Sequence, residues 1–96
     1  MKFQRSKKTV AAAGTAEALG SDGTLVQALV IKAEDGNGGK IYPGDSAVDN
    51  SDTEQGLNPG DILNLTWPDG EMGNLADIYI DVDTNGEGVV FWYLGR

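Results

Sequence analysis

Four side chains able to hold a divalent cation fall at alternate positions in Asp81-Val82-Asp83-Thr84-Asn85-Gly86-Glu87-Gly88. Asp81, Asp83, Asn85 and Glu87 offer the carboxylate and carboxamide oxygens that a hard cation such as calcium prefers. Their spacing, with Gly86 at the sharp turn, matches the opening of an EF-hand loop. Such a loop closes on a bidentate Glu, and here the closing position falls on Trp92. The flanks differ too. Ile78-Tyr79-Ile80 precedes the stretch and Val89-Val90-Phe91-Trp92-Tyr93-Leu94 follows it; these β-branched and aromatic runs read as strands, not helices. Asn85-Gly86 between two such runs predicts a hairpin turn, because both residues accept positive φ readily. The sequence therefore predicts the closing hairpin of a β-domain, with at most a weak hydrated calcium site and no cofactor.

Other chemistry is sparse. The chain has no Cys and no His, which removes disulfides, zinc–thiolate sites and the usual general base at neutral pH. Its 15 carboxylates are the remaining candidates, and a paired-carboxylate mechanism needs a walled pocket to separate two pKa values. A chain of 96 residues makes one domain with a modest core. The expectation is a protein that is not an enzyme.

Charge is unevenly placed. Lys2, Arg5, Lys7 and Lys8 give the first eight residues a charge of +4, which leaves the rest at −12 within a total of −8. An acidic body repels nucleic acid and resists non-specific association. The basic segment 1–8 has two readings: a solvated tail, or an arm that orders against an acidic partner surface with Phe3 as its apolar anchor. No apolar run approaches a membrane span, and no apolar region of a secretory signal follows Met1 to Lys8.

Punctuation by 14 Gly and 3 Pro divides the remainder into short elements. Thr9 to Leu19 is read as a first extended segment and Leu25 to Lys32 as a central strand. Ile41-Tyr42 begins a short strand stopped at Pro43-Gly44-Asp45. Ser46 to Gln55 is an acidic surface loop. Ile62 to Trp67 alternates as a half-buried strand should. Short strands at this spacing predict an all-β domain, a small antiparallel β-sandwich or jelly roll over residues 9–96. In the last strand Val89, Phe91 and Tyr93 share one face, with Val90, Trp92 and Leu94 on the other. A strand apolar on both faces is buried on both or covered by a neighbouring subunit, so Val90, Trp92 and Leu94 are candidates for an oligomer interface. Trp67, Trp92, Tyr42 and Tyr93 are alternatively a sugar-stacking platform, although aromatics on strands more often pack a core or an interface.

Three segments in order, Gly39 to Ser46 (GKIYPGDS), Gly56 to Asp61 (GLNPGD) and Asn74 to Leu94 (NLADIYIDVDTNGEGVVFWYL), resemble those of small tailed-bacteriophage virion proteins of the head decoration, or cement, type. GTAEAL and LVQALVIKAE also sit where such proteins carry comparable phrases, and the likeness covers nearly everything after Thr9. Pro43 departs from the pattern, which implies a strand that ends early or lies on an edge. Segment 1–8 lies outside the pattern. The resemblance implies a virion structural protein on the outer surface of the capsid, often a homotrimer, with the major capsid protein as partner. On that reading Lys2, Phe3, Arg5, Lys7 and Lys8 form a capsid-binding arm. A tail-associated or host-attachment module binding surface glycans is the alternative, and a calcium-dependent carbohydrate-binding module is a third.

Overall fold

Leu25–Ala33 (β3) is the apolar run around which the larger of two antiparallel sheets is built. The computed structural model describes residues 2–95. Besides β3, the strands are Lys2–Thr9 (β1), Glu17–Ala18 (β2), Ile41–Gly44 (β4), Ile62–Thr66 (β5), Gly73–Asn74 (β6), Tyr79–Val82 (β7) and Gly88–Gly95 (β8). The larger sheet runs β1-β8-β3-β5, with β6 also pairing β3; the smaller runs β2-β7-β4. The chain is all-β, as its punctuation predicts.

The core lies between the sheets. Leu29, Ile31 and Ala33 of β3 and Val89 and Phe91 of β8 meet Ile41, Ile80 and Val82 of the smaller sheet, all buried. Val26 is also buried, although strict alternation would turn it away from Leu29. A β-bulge between Val26 and Ala28 in the pairing with β8 resets the phase, so both residues reach the core. Val10, Leu19 and Leu75 close the ends of the core from loops and short elements.

Three expectations are corrected. Segment 1–8 is not a flexible arm: Lys2–Thr9 forms β1, paired along its whole length with β8 from Lys2↔Gly95 to Thr9↔Gly88. Lys2–Thr9 is therefore part of the β-domain. The strand character of this polar segment comes from its partner, because β8 presents a β-branched and aromatic edge that recruits an eight-residue ladder. Lys8 Nζ also lies 3.0 Å from Glu17 Oε1, tying the end of β1 to the smaller sheet.

The second correction concerns Asp81 to Gly88. β7 and β8 do not form a hairpin; β7 pairs β2 and β4, whereas β8 pairs β1 and β3. The stretch is a crossover between sheets. Gly86 does take positive φ, at 82°, but no non-glycine residue among those described does, so Asn85-Gly86 lacks the paired geometry of a tight hairpin turn. The crossover is held by the chain after β1: Gly86 N–H donates to Val10 O at 2.8 Å, and Val10 N–H donates to Glu87 O at 3.0 Å. Third, of the extended segment expected over Thr9 to Leu19, Thr9 ends β1, residues 10–16 are bends and turns, and Glu17–Ala18 is a two-residue strand.

Candidate functional site

The carboxylates of the crossover point in different directions. Asp81 is fully buried; its Oδ1 accepts from the N–H groups of Gly14 (2.9 Å) and Val82 (2.8 Å), and its Oδ2 is buried without a hydrogen-bond partner. Asp83 accepts from Lys40 N–H at 3.1 Å and from Tyr42 Oη–H, which lies 3.0 Å from both of its oxygens. Asn85 Oδ1 accepts from Ala13 N–H at 2.8 Å. Glu87 accepts from Gly38 N–H at 2.5 Å and Gly39 N–H at 3.1 Å. The four groups thus fasten two loops, residues 11–14 and 37–40, to the crossover. Among the described residues no three carboxylates converge on a metal position. Calorimetric titration with calcium is expected to give no dissociation constant tighter than about 10 μM, the sensor range; a tighter constant would show that these hydrogen bonds yield to a metal.

Tyr42 belongs to the same network. Burial, then its hydrogen bond to Asp83 and the charges of Asp83, Asp81 and Asp52, push its phenol up to about 12. A raised folded-state pKa contributes stability that is fully present below the ordinary phenol value near 10. That contribution is lost as pH rises through about 12. Tyrosinate absorbance is expected to show one late-ionising phenol, absent from a Tyr42→Phe chain and coincident with alkaline loosening of the loops. Ionisation of Tyr42 near 10 would contradict the buried arrangement.

The four aromatics considered as a sugar platform are dispersed. Tyr42 is buried under the acidic 45–55 loop, with Asp49 and Asp52 lining the hollow beside it. Trp67 packs against Gly73, where a Cβ would lie 2.1 Å from the indole. Tyr93 stacks on Phe91 with centroids 6.0 Å apart. Trp92 alone is on the outer face of the larger sheet.

That outer face is where the remaining sequence candidates meet. Cross-strand register sets three rows: Phe3–Leu94–Ala28–Thr66, Arg5–Trp92–Val30–Asn64 and Lys7–Val90–Lys32–Ile62. Phe3, Arg5 and Lys7 from the expected arm thus lie beside Val90, Trp92 and Leu94 from the expected oligomer interface. The exposed large apolar side chains among the described residues are Phe3, Ile62 and Leu94, at 70%, 55% and 37%, and all are on this face. Lys2 and Lys8 are separated from it by strand alternation; Lys8 instead pairs with Glu17. Lys32 reaches Asp35 at 3.3 Å. Arg5 and Lys7 take part in no ion pair among the described residues. With Ser6, Val90 and Trp92 they line an open depression of about 380 Å³.

The opposite side of the molecule differs in sign. The 45–55 loop, carrying Asp45, Asp49, Asp52 and Glu54, covers the smaller sheet, and Asn50 Nδ2 fastens it to Val82 O at 3.0 Å. One broad face is apolar and cationic and the other is acidic. Sequence reasoning found Arg5, Lys7, Phe3, Val90, Trp92 and Leu94 but assigned them to two places; Ile62 and Lys32 were not singled out. Their signal was the alternation within Ile62 to Trp67 and Leu25 to Lys32, which sets one face of each strand toward the outside. No helix among the described residues is long and apolar enough to cross a membrane. Comparison with family models, curated proteins and solved structures finds no match for this chain.

Proposed function

We propose that this chain is a non-enzymatic binding protein that docks on an acidic partner surface through the outer face of its larger sheet. One observation carries the reading. Every exposed large apolar side chain among the described residues shares a face with Arg5 and Lys7, on a chain whose net charge is −8. Apolar anchors supply affinity, and cations with no ion pair among the described residues supply steering and register. The sequence resemblance names the partner: the major capsid protein of a tailed-phage head, with this chain as a decoration or cement protein on the virion exterior. Many copies bridging neighbouring capsid subunits would add modest contacts across the shell. Outward acidic loops would keep the particle soluble. A trimer on the particle would shield part of Val90, Trp92 and Leu94 beside the docking contact.

Quantitative mass spectrometry of purified heads and tails separates this reading from its rival. A head protein is present in many copies on heads; a few copies confined to tails would support the host-attachment reading. That rival has one favourable observation, the Trp92 depression flanked by Arg5 and Lys7, a shape that suits an acidic sugar ring.

A further inference from the structure

We propose that β1 is an acceptor edge, to which an acidic extended segment of a partner protein adds as another strand. The inference deepens the docking reading and rests on it for the acidic partner.

β1 ends the strand order of the larger sheet, so its far edge is unpaired among the described residues. Two hydrogen bonds fix which residues face outward. Val10 N–H donates to Glu87 O, and Glu34 N–H donates to Gly88 O, so the Gly88 carbonyl faces β3 and not β1. Alternation in an antiparallel ladder then turns the backbone groups of Lys8, Ser6, Gln4 and Lys2 toward β8. The N–H and C=O groups of Phe3, Arg5, Lys7 and Thr9 point away from the sheet. They form a row about 20 Å long, with the two-residue period of a strand.

Charge selects the occupant. A second copy pairing its own β1 against this edge would set Lys2, Arg5, Lys7 and Lys8 against the same cations, and basic residues on an edge oppose such self-association. An acidic strand reverses the sign of each contact. On the outer face its side chains would lie opposite Phe3, Arg5 and Lys7, so the matching pattern is apolar, acidic, acidic at alternate positions. The apolar member would join Phe3 and Leu94, and the two carboxylates would meet the cations beside Trp92. A polysaccharide could meet the charges but has no backbone to match the row of amides and carbonyls. Main-chain hydrogen bonds would supply affinity and the alternate side chains specificity, as in other strand additions.

The test uses the full chain and a capped peptide, Thr-Glu-Thr-Glu-Thr-Val-Thr, which in antiparallel register sets Val opposite Phe3 and the two Glu opposite Arg5 and Lys7, with amide hydrogen exchange read by NMR. Saturable binding is expected to protect Phe3, Arg5, Lys7 and Thr9 and to leave Gln4, Ser6 and Lys8 unchanged. The same peptide N-methylated at alternate amides keeps its charge and loses one hydrogen-bonding edge, and it is expected to bind at least about tenfold more weakly. Equal binding by the N-methylated peptide would reduce the effect to charge alone and overturn the proposal. Equal or tighter binding of a heparin oligosaccharide would overturn it in favour of a polysaccharide site. Protection that grows with protein concentration without peptide would overturn it in favour of a second copy, and absence of saturable protection at millimolar peptide would overturn it outright. A chain that decorates heads but ignores the peptide would remove this inference and leave the docking reading standing. Peptide capture without head binding would do the reverse.

Discussion

A Gly88→Ala chain is expected to keep its core and lose the order of β1. An added Cβ at position 88 would lie 1.9 Å from the Lys8 carbonyl oxygen, 2.7 Å from Thr9 Cα and 2.8 Å from the Lys8 carbonyl carbon. These are backbone atoms of the adjacent strand, so no rotamer change relieves the overlap. One strand must move. β8 is held on its other side by β3, from Val26↔Gly95 to Ala33↔Val89, whereas β1 pairs with β8 alone. β1 is therefore the strand that yields. Its displacement also separates Lys8 from Glu17, whose carboxyl the Lys8 hydrogen bond holds below the ordinary carboxylate range. Overpacking of this kind costs about 1–3 kcal/mol, and each kcal/mol lowers Tm by about 4–8 °C in a domain of this size. Hydrogen exchange should show Gln4, Ser6 and Lys8 unprotected while Leu29 and Ile31, which face β5, and Trp92, which faces β3, stay protected. Unchanged protection in β1 would mean that the close approach is relieved elsewhere.

The second large effect is on binding. Reversing both unpaired cations, Arg5→Glu with Lys7→Glu, is expected to weaken docking on purified heads by about 100-fold, or ~2.7 kcal/mol. Both residues are exposed and neither has an ion-pair partner among the described residues, so Tm should change little. The loss comes from two attractions turned into repulsions next to apolar anchors that remain in place. Salt should weaken the native chain and spare the reversed one, because exposed charges are screened within ~10 Å at 0.1 M. A reversed chain that saturates heads with native affinity would remove Arg5 and Lys7 from the docking contact. Reversing Asp49 and Asp52, on the opposite side, serves as the control and should leave head binding unchanged.

Much of the fold is legible in the sequence because apolar alternation and turn residues act locally. Leu25–Ala33, Ile62–Thr66 and Gly88–Gly95 are strands where their side-chain patterns place them, and β4 ends at Gly44 beside Pro43 as the turn chemistry requires. The rest depends on partners distant in sequence. Lys2–Thr9 has no alternation of its own and becomes a strand only beside β8, 79–93 residues away along the chain by their paired positions. Asn85-Gly86 carries a hairpin signature, yet hairpin and inter-sheet crossover both need a turn there. Ile80 and Val82 facing Val89 and Phe91 across the core, rather than beside them in one sheet, decides for the crossover. The bulge that turns Val26 inward leaves no mark in the sequence LVQALVIKA. The site was legible in composition but not in place. Cations and aromatics were visible from the start, and only strand register brings Arg5 beside Trp92 and Lys7 beside Val90.

On the proposed function, the cationic and apolar face of the larger sheet docks on a phage head. A cryo-EM map of the particle that carries this chain tests it most directly. Density for β1, Trp92 and Ile62 is expected against the capsid lattice, with a capsid segment rich in carboxylates beside Arg5 and Lys7 and the 45–55 loop facing solvent. A map that shows this face open to solvent, or places the chain only on the tail, would contradict it.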